Sequence, residues 1–159
     1  MEHVYWVIPD LLAGRPGPDR YPWDLEALHQ GGFRAVLSLC EGIAGRGEMR
    51  ALGLDHLAIP LPASLPPSPE EESSCRRLLP EALYFMRWHI LNGLPTLVHC
   101  REGQDCTDMV LACYLASYEG MSASEAIDRI RRIAPESLSA PEHVRYVHRL
   151  LGISDQAAV

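Results

Sequence analysis

Hydrophobic positions open the chain as short β-branched or aromatic runs and close it as helix-spaced stripes. Val4 to Ile8 and Leu11 to Gly14 are two such runs, with Pro9-Asp10 as a turn between them. They predict two strands in a hairpin, closed by the Gly- and Pro-rich segment Gly14 to Pro18. From Pro22 to Gln30, apolar Leu25 and Leu28 predict a short helix, with a proline near its start and Gly31-Gly32 past its end. Ala35 to Cys40 is a continuous apolar run of strand length and predicts a buried parallel strand. Glu41 to Gly53 is Gly-rich with a helical turn over Glu48 to Leu52, and Asp55 to Leu61 reads as another strand. The five prolines from Pro60 to Pro69 prohibit regular pairing and predict a stiff, extended connector.

A long helix follows, with Ser68 as N-cap, Pro69 as its first residue and Glu71 in capping-box position. Leu78, Leu79, Ala82, Leu83, Phe85, Met86 and Ile90 form its buried side. Pro80 lies inside it and is expected to kink or divide it. Asn92-Gly93 ends it, and Thr96-Leu97-Val98 reads as a buried central strand. Asp108 to Glu119 is apolar most of the way round, which predicts a central buried helix. Ser122 and Glu125 make a second capping-box pattern for a helix to about Ile133, and Pro141 starts a last helix to about Leu151. The order implies an α/β fold, a mostly parallel twisted sheet flanked by helices. We read residues 1–151 as a single domain and 152–159 as a flexible tail.

Composition narrows the function. The 159 residues suffice for one good core, and 47% apolar with 22% charged content is ordinary for a globular protein. No apolar run approaches a membrane span, and Met1 to Asp10 lacks the charged and apolar regions of a signal peptide, so a cytoplasmic location is the default. Five cysteines at irregular spacing argue against a secreted disulfide framework. A net charge of −7 argues against nucleic-acid or anionic-membrane partners.

The chemistry concentrates in Pro95 to Thr107, PTLVHCREGQDCT. A buried strand runs through His99 to Cys100, then a polar loop (Arg101, Glu102, Gly103, Gln104, Asp105), then Cys106-Thr107 into a helix. Loop and first-turn N–H groups beside a helix N-terminus favour an anion, and the same field favours a cysteine thiolate. A metal site of His99, Cys100, Asp105 and Cys106 is not expected, because adjacent strand residues face opposite ways. No cofactor is expected either.

The stretch resembles the signature loop of the cysteine-based protein tyrosine phosphatases: His-Cys, five residues, Arg, Ser/Thr. The wider chain, through LLAG, AVLSLCEG, HLAIP, LACYLASYEGMSASEAI and RIRR, resembles the small atypical dual-specificity members. The resemblance implies Cys100 as the nucleophile that forms a cysteinyl-phosphate, and His99 as the residue that orients the loop and favours the thiolate. It also implies Thr107 as the hydroxyl that bonds the sulfur and Gly103 as the mid-loop glycine. Thr107 reads equally well as an N-cap. The implied partner is a phosphorylated protein, a small phosphomonoester or another acidic group.

Two departures stand against turnover. Cys106 occupies the place of the family arginine, whose planar fork binds two phosphoryl oxygens. Leu61 occupies the place of the general-acid aspartate, and no Asp or Glu occurs from His56 to Pro69. Arg101 lies in the loop where the family side chain points outward. Arg15, Arg46 and Arg145 are the arginines that folding can bring near. The expectation is a weak or inactive relative, a pseudophosphatase. The alternatives are a hydrolase that uses substitute residues, or a thiol-redox protein using Cys100, Cys106 and Cys40.

Overall fold

The computed structural model describes residues 1–62 and 67–152. The expected tail after Gly152 and the middle of the proline-rich connector, 63–66, lie outside the described residues. The strands are β1 (Tyr5–Ile8), β2 (Leu12–Gly14), β3 (Ala35–Ser38), β4 (Asp55–Ala58) and β5 (Thr96–His99). The helices are α1 (Leu25–Gln30), α2 (Arg46–Leu52), α3 (Pro69–Leu91), α4 (Asp105–Tyr118), α5 (Ala123–Ile133) and α6 (Pro141–Leu150). The strands lie in the order β1-β2-β5-β3-β4. β1 pairs antiparallel with β2, and every other pair is parallel.

Alternation along the strands builds two cores. Leu12, Leu37 and Val98 face the side covered by α3 to α6, while Ala13, Val36 and Leu97 face Leu25, Leu28, Phe33 and Met49 on the side of α1 and α2. All six strand residues are fully buried. That is why these strands read as unbroken apolar runs: both faces are covered.

The caps explain where helices begin. Asp24 accepts from the Ala27 N–H at 2.9 Å, so α1 starts at Leu25 and not at Pro22. Ser68 accepts from the Glu71 N–H at 3.3 Å and Pro69 is the first residue of α3. Ser122 and Glu125 form the reciprocal capping box of α5. Gly45, at φ 98°, lets the chain enter α2 two residues earlier than expected. Pro80 does not divide α3, which continues from Pro69 to Leu91. Buried Cys75 and Leu79 before it, and Ala82, Leu83 and Met86 after it, dock on the same core and hold both halves in line.

Candidate functional site

β5 delivers the site. Its position between β2 and β3 puts His99 and Cys100 at the carboxyl end of the sheet's middle strand, and α4 begins at Asp105. Asp105, Cys106 and Thr107 therefore form the first turn of α4 and are not loop. Thr107 is not the N-cap; Gln104 holds that position, and the Asp108 N–H returns to its carbonyl at 2.7 Å. A cavity of about 250 Å³ is lined by Cys100, Arg101, Glu102, Gly103, Gln104, Asp105 and Cys106, with Cys40 and Leu61 on its far wall. The loop residues singled out from the sequence thus share one hollow, and His99 and Thr107 lie buried behind it.

The loop's carbonyls and amides are used differently. Gly17 donates to Glu102 O at 3.0 Å and to Gly103 O at 3.1 Å, and Asp19 donates to Arg101 O at 3.2 Å. The N–H groups of Arg101, Glu102, Gly103 and Gln104 meet no backbone carbonyl among the described residues. Carbonyls drawn away and amides left free suit an anion in the cavity. The clamp comes from Gly17 and Asp19, in and just after the Gly- and Pro-rich segment that the sequence suggested only as the end of a hairpin. Gly103 does not have a positive φ, and a Cβ there would meet nothing within 4 Å. Neither backbone conformation nor packing therefore requires a glycine at this position.

Electrostatics at Cys100 run against the expected thiolate. Its Sγ–H donates to Gly103 O at 3.0 Å, the arrangement of a thiol. Burial pushes its pKa up; the Thr107 hydroxyl and amide pull it down, and Asp108 and Asp105 push it up again. His99 donates from Nδ1 to the Cys100 carbonyl at 2.7 Å and is neutral, because burial lowers its pKa to about 4. It therefore fixes the strand end but brings no positive charge. Its Nε2 lies 2.6 Å from Ser38 Oγ, which lies 2.8 Å from His56 Nε2. Trp23 packs edge-on against its ring at 4.6 Å.

The cations are elsewhere. Arg101 is turned to the Glu41 carbonyl and to Asp19 at 3.4 Å. Arg15 is buried and donates to Tyr21 O at 2.6 Å, Arg46 borders other hollows, and Arg145 is exposed on α6. None of these three lines the Cys100 cavity. Cys106 and Leu61 do line it, at 6% and 7% exposure.

Behind the loop, Asp108 is fully buried and accepts from the Tyr5 hydroxyl, and Gln104 donates to Ser137 at 2.9 Å. Burial raises the Asp108 pKa to about 7, against the lowering effect of hydrogen bonds from Ser137 and Tyr5. A carboxyl whose folded value is raised contributes stability that is full below its unfolded value and lost as pH rises through the folded one, here about 7. Asp108→Asn removes that loss. Its melting temperature relative to the parent is therefore expected to improve from about pH 5 to about pH 8. Thermal denaturation at both values checks this; a difference independent of pH would contradict it.

Among the described residues no group of three or more His, Cys, Asp or Glu is placed to hold a metal, and no helix is long and apolar enough to cross a membrane. Cys40, Cys75, Cys100, Cys106 and Cys113 are all free thiols.

Comparison with known proteins fits this geometry. The model of the family described as "Polymorphic toxin system, DSP-PTPase phosphatase" matches residues 15–120. The phosphatidylglycerophosphate phosphatase PTPMT1 of Arabidopsis thaliana is 26% identical over 135 residues, 80% of this chain and 38% of its own length. The chain thus spans less than half the length of the curated relatives it matches. Among solved structures, Tk-PTP in its active form superposes with a TM-score of 0.74 at 23% identity, covering 94% of this chain and 96% of its own. Human DUSP28 superposes at 0.72 and 19% identity, covering 94% and 93%. From the family match and the strand–cysteine–loop–helix site together, the chain belongs to the DSP-PTPase phosphatases of polymorphic toxin systems, within the cysteine-based protein tyrosine phosphatase superfamily.

Proposed function

We propose that this chain keeps the phosphate-binding loop of its family but turns phosphomonoesters over weakly or not at all, acting as a pseudophosphatase that holds a phosphorylated or acidic group. One observation carries the reading: the cavity at Cys100 is walled by Cys106 and Leu61, while Arg101 faces Asp19 and Glu41. Free loop amides supply binding. The transition-state cation and the proton donor for the leaving oxygen are missing, and losses of this kind cost roughly 10³–10⁵ and 10²–10⁴ in rate. The site needs no metal or other cofactor in this reading. A cytoplasmic setting fits the five free thiols.

Cys40, Cys100 and Cys106 line one cavity, as a thiol-redox protein would require. Burial pushes all three up, Cys40 to about 11, so none is an effective thiolate near neutrality and we set that reading second.

The test is hydrolysis of a small aryl phosphate near pH 6 by this chain and by Cys100→Ser, side by side, with phosphate binding followed at the loop amides. Binding by the parent, with turnover no faster than the Ser variant, is expected. Turnover abolished by Cys100→Ser would establish a working nucleophile and overturn the pseudophosphatase reading.

A further inference from the structure

A basic hollow lies between α2 and the start of β4. It measures about 670 Å³ and is lined by Arg46, Arg50, His56 and Asp55, with Gly47 and Gly53 opening its wall. Its one carboxylate, Asp55, has Oδ2 2.9 Å from His89 Nε2 and stays largely exposed, so two guanidinium groups face one carboxylate. Arg46 and Arg50 are exposed, and their guanidinium groups make no ion pair or hydrogen bond among the described residues. In a chain of net charge −7, two unpaired guanidinium groups and a half-buried imidazole facing one hollow form a local anion trap.

A third cavity lies between this hollow and the candidate site. It measures about 300 Å³, shares Arg46 and His56 with the hollow, and shares Cys40 with the cavity at Cys100. The hollow and the candidate site are also joined through the sheet by hydrogen bonds of fixed direction. The Cys100 carbonyl can only accept, so the His99 Nδ1 carries a proton. Neutral His99 then accepts at Nε2 from the Ser38 hydroxyl. Ser38 has no second proton to give, so its oxygen accepts from His56 Nε2–H. His56 is held as a donor toward the site, a role it keeps when a neighbouring anion favours its taking a second proton from solvent.

We infer that the Arg46–Arg50–His56 hollow is a second phosphoryl-binding site, in hydrogen-bonded connection with the loop. The inference deepens the phosphate-holding reading and rests on it for the first site alone. The two phosphoryl groups come from one doubly phosphorylated ligand or from separate ones.

The experiment is an NMR titration of the full, labelled chain with inorganic phosphate. Signals of Arg46, Arg50 and the His56 ring are expected to move, and the His56 titration midpoint to rise by about half a unit or more, because the anion offsets Arg46, which together with burial holds it down. Around His56 the other charged groups are Arg50 on α2, Asp55 on β4 and Glu41 in the loop after β3. Arg46→Gln with Arg50→Gln, both at exposed positions, is expected to weaken this set at least about tenfold and leave the amides of Glu102, Gly103 and Gln104 responsive. Arg46, Arg50 and His56 signals that stay still in the parent chain, or a His56 ring signal that responds as strongly in the double variant, would overturn the inference. Loop amides that stay still would instead overturn the loop reading. Hexose 1,6-bisphosphate separates the two sources: one molecule per chain moving both sets means one bridging ligand, and two per chain means separate ligands, both outcomes supporting the second site.

Discussion

Cys106→Arg combined with Leu61→Asp raises aryl-phosphate hydrolysis about 10³-fold or more over the parent chain. Both positions already border the cavity at Cys100, so both new side chains start beside the reacting group. A guanidinium on the transferring phosphoryl is worth roughly 10³–10⁵ and a general acid roughly 10²–10⁴. The two do not multiply, since each is useful only when the other step is possible. Against the gain stand Asp105 and Asp108, which already push the Cys100 thiol up. A guanidinium at residue 106 opposes them and favours the thiolate. The check is steady-state hydrolysis by the double variant, with the same variant carrying Cys100→Ser as control. A folded double variant no faster than the parent would mean that the loop amides do not converge on the phosphoryl group, and that arginine and acid are not what the site lacks.

Gly17→Ala dislodges the loop. A Cβ on Gly17 would sit 1.9 Å from the Arg101 carbonyl oxygen and 2.4 Å from the Glu102 nitrogen, both backbone atoms that cannot swing aside. Either the segment carrying Gly17 or the loop must move, and the paired bonds from Gly17 N–H to Glu102 O and Gly103 O go with it. Overpacking of this kind costs about 1–3 kcal/mol. A fall in melting temperature of roughly 2–12 °C is expected. Phosphate affinity at the loop drops at least about tenfold, because the carbonyls are no longer held away from the anion. Gly103→Ala is the control: it meets no atoms, so its melting temperature stays close to the parent's. Equal melting temperatures for the two variants would refute the clamp.

Much of this was legible in the sequence because two-sided burial writes itself plainly. Ala35 to Ser38 and Thr96 to Val98 are apolar on successive residues because helices cover both faces, and the caps Ser68 and Ser122 sit where their hydroxyls bond the first turn. The cavity residues from Cys100 to Cys106 were legible because a strand, a loop and a helix N-terminus are consecutive there. What escaped were contacts between segments far apart in the chain. Gly17 looks like any turn glycine until Arg101 packs on it, and nothing local marks Ser38 as the bridge from His56 to His99. The start of α4 was misplaced because Asp105 and Cys106 have no strong helical pattern; their place in the first turn follows from the bond between Asp108 N–H and Gln104 O. At Cys100 a helix N-terminus is legible in the sequence, but the burial that pushes the thiol pKa up is a tertiary property that nothing local marks.

The order of strands has a consequence for how the chain is made. β5 lies between β2 and β3, with Leu12 and Ala35 both opposite Thr96. During synthesis both flanking strands emerge well before the one that joins them. Until β5 arrives, each carries an open edge of unpaired backbone groups, and the N-terminal hairpin has no partner on its inner side. Pairing across such sequence separation is slow to form. A truncated chain ending before Thr96 therefore exposes two apolar strand edges to other copies of itself, and its fate is aggregation.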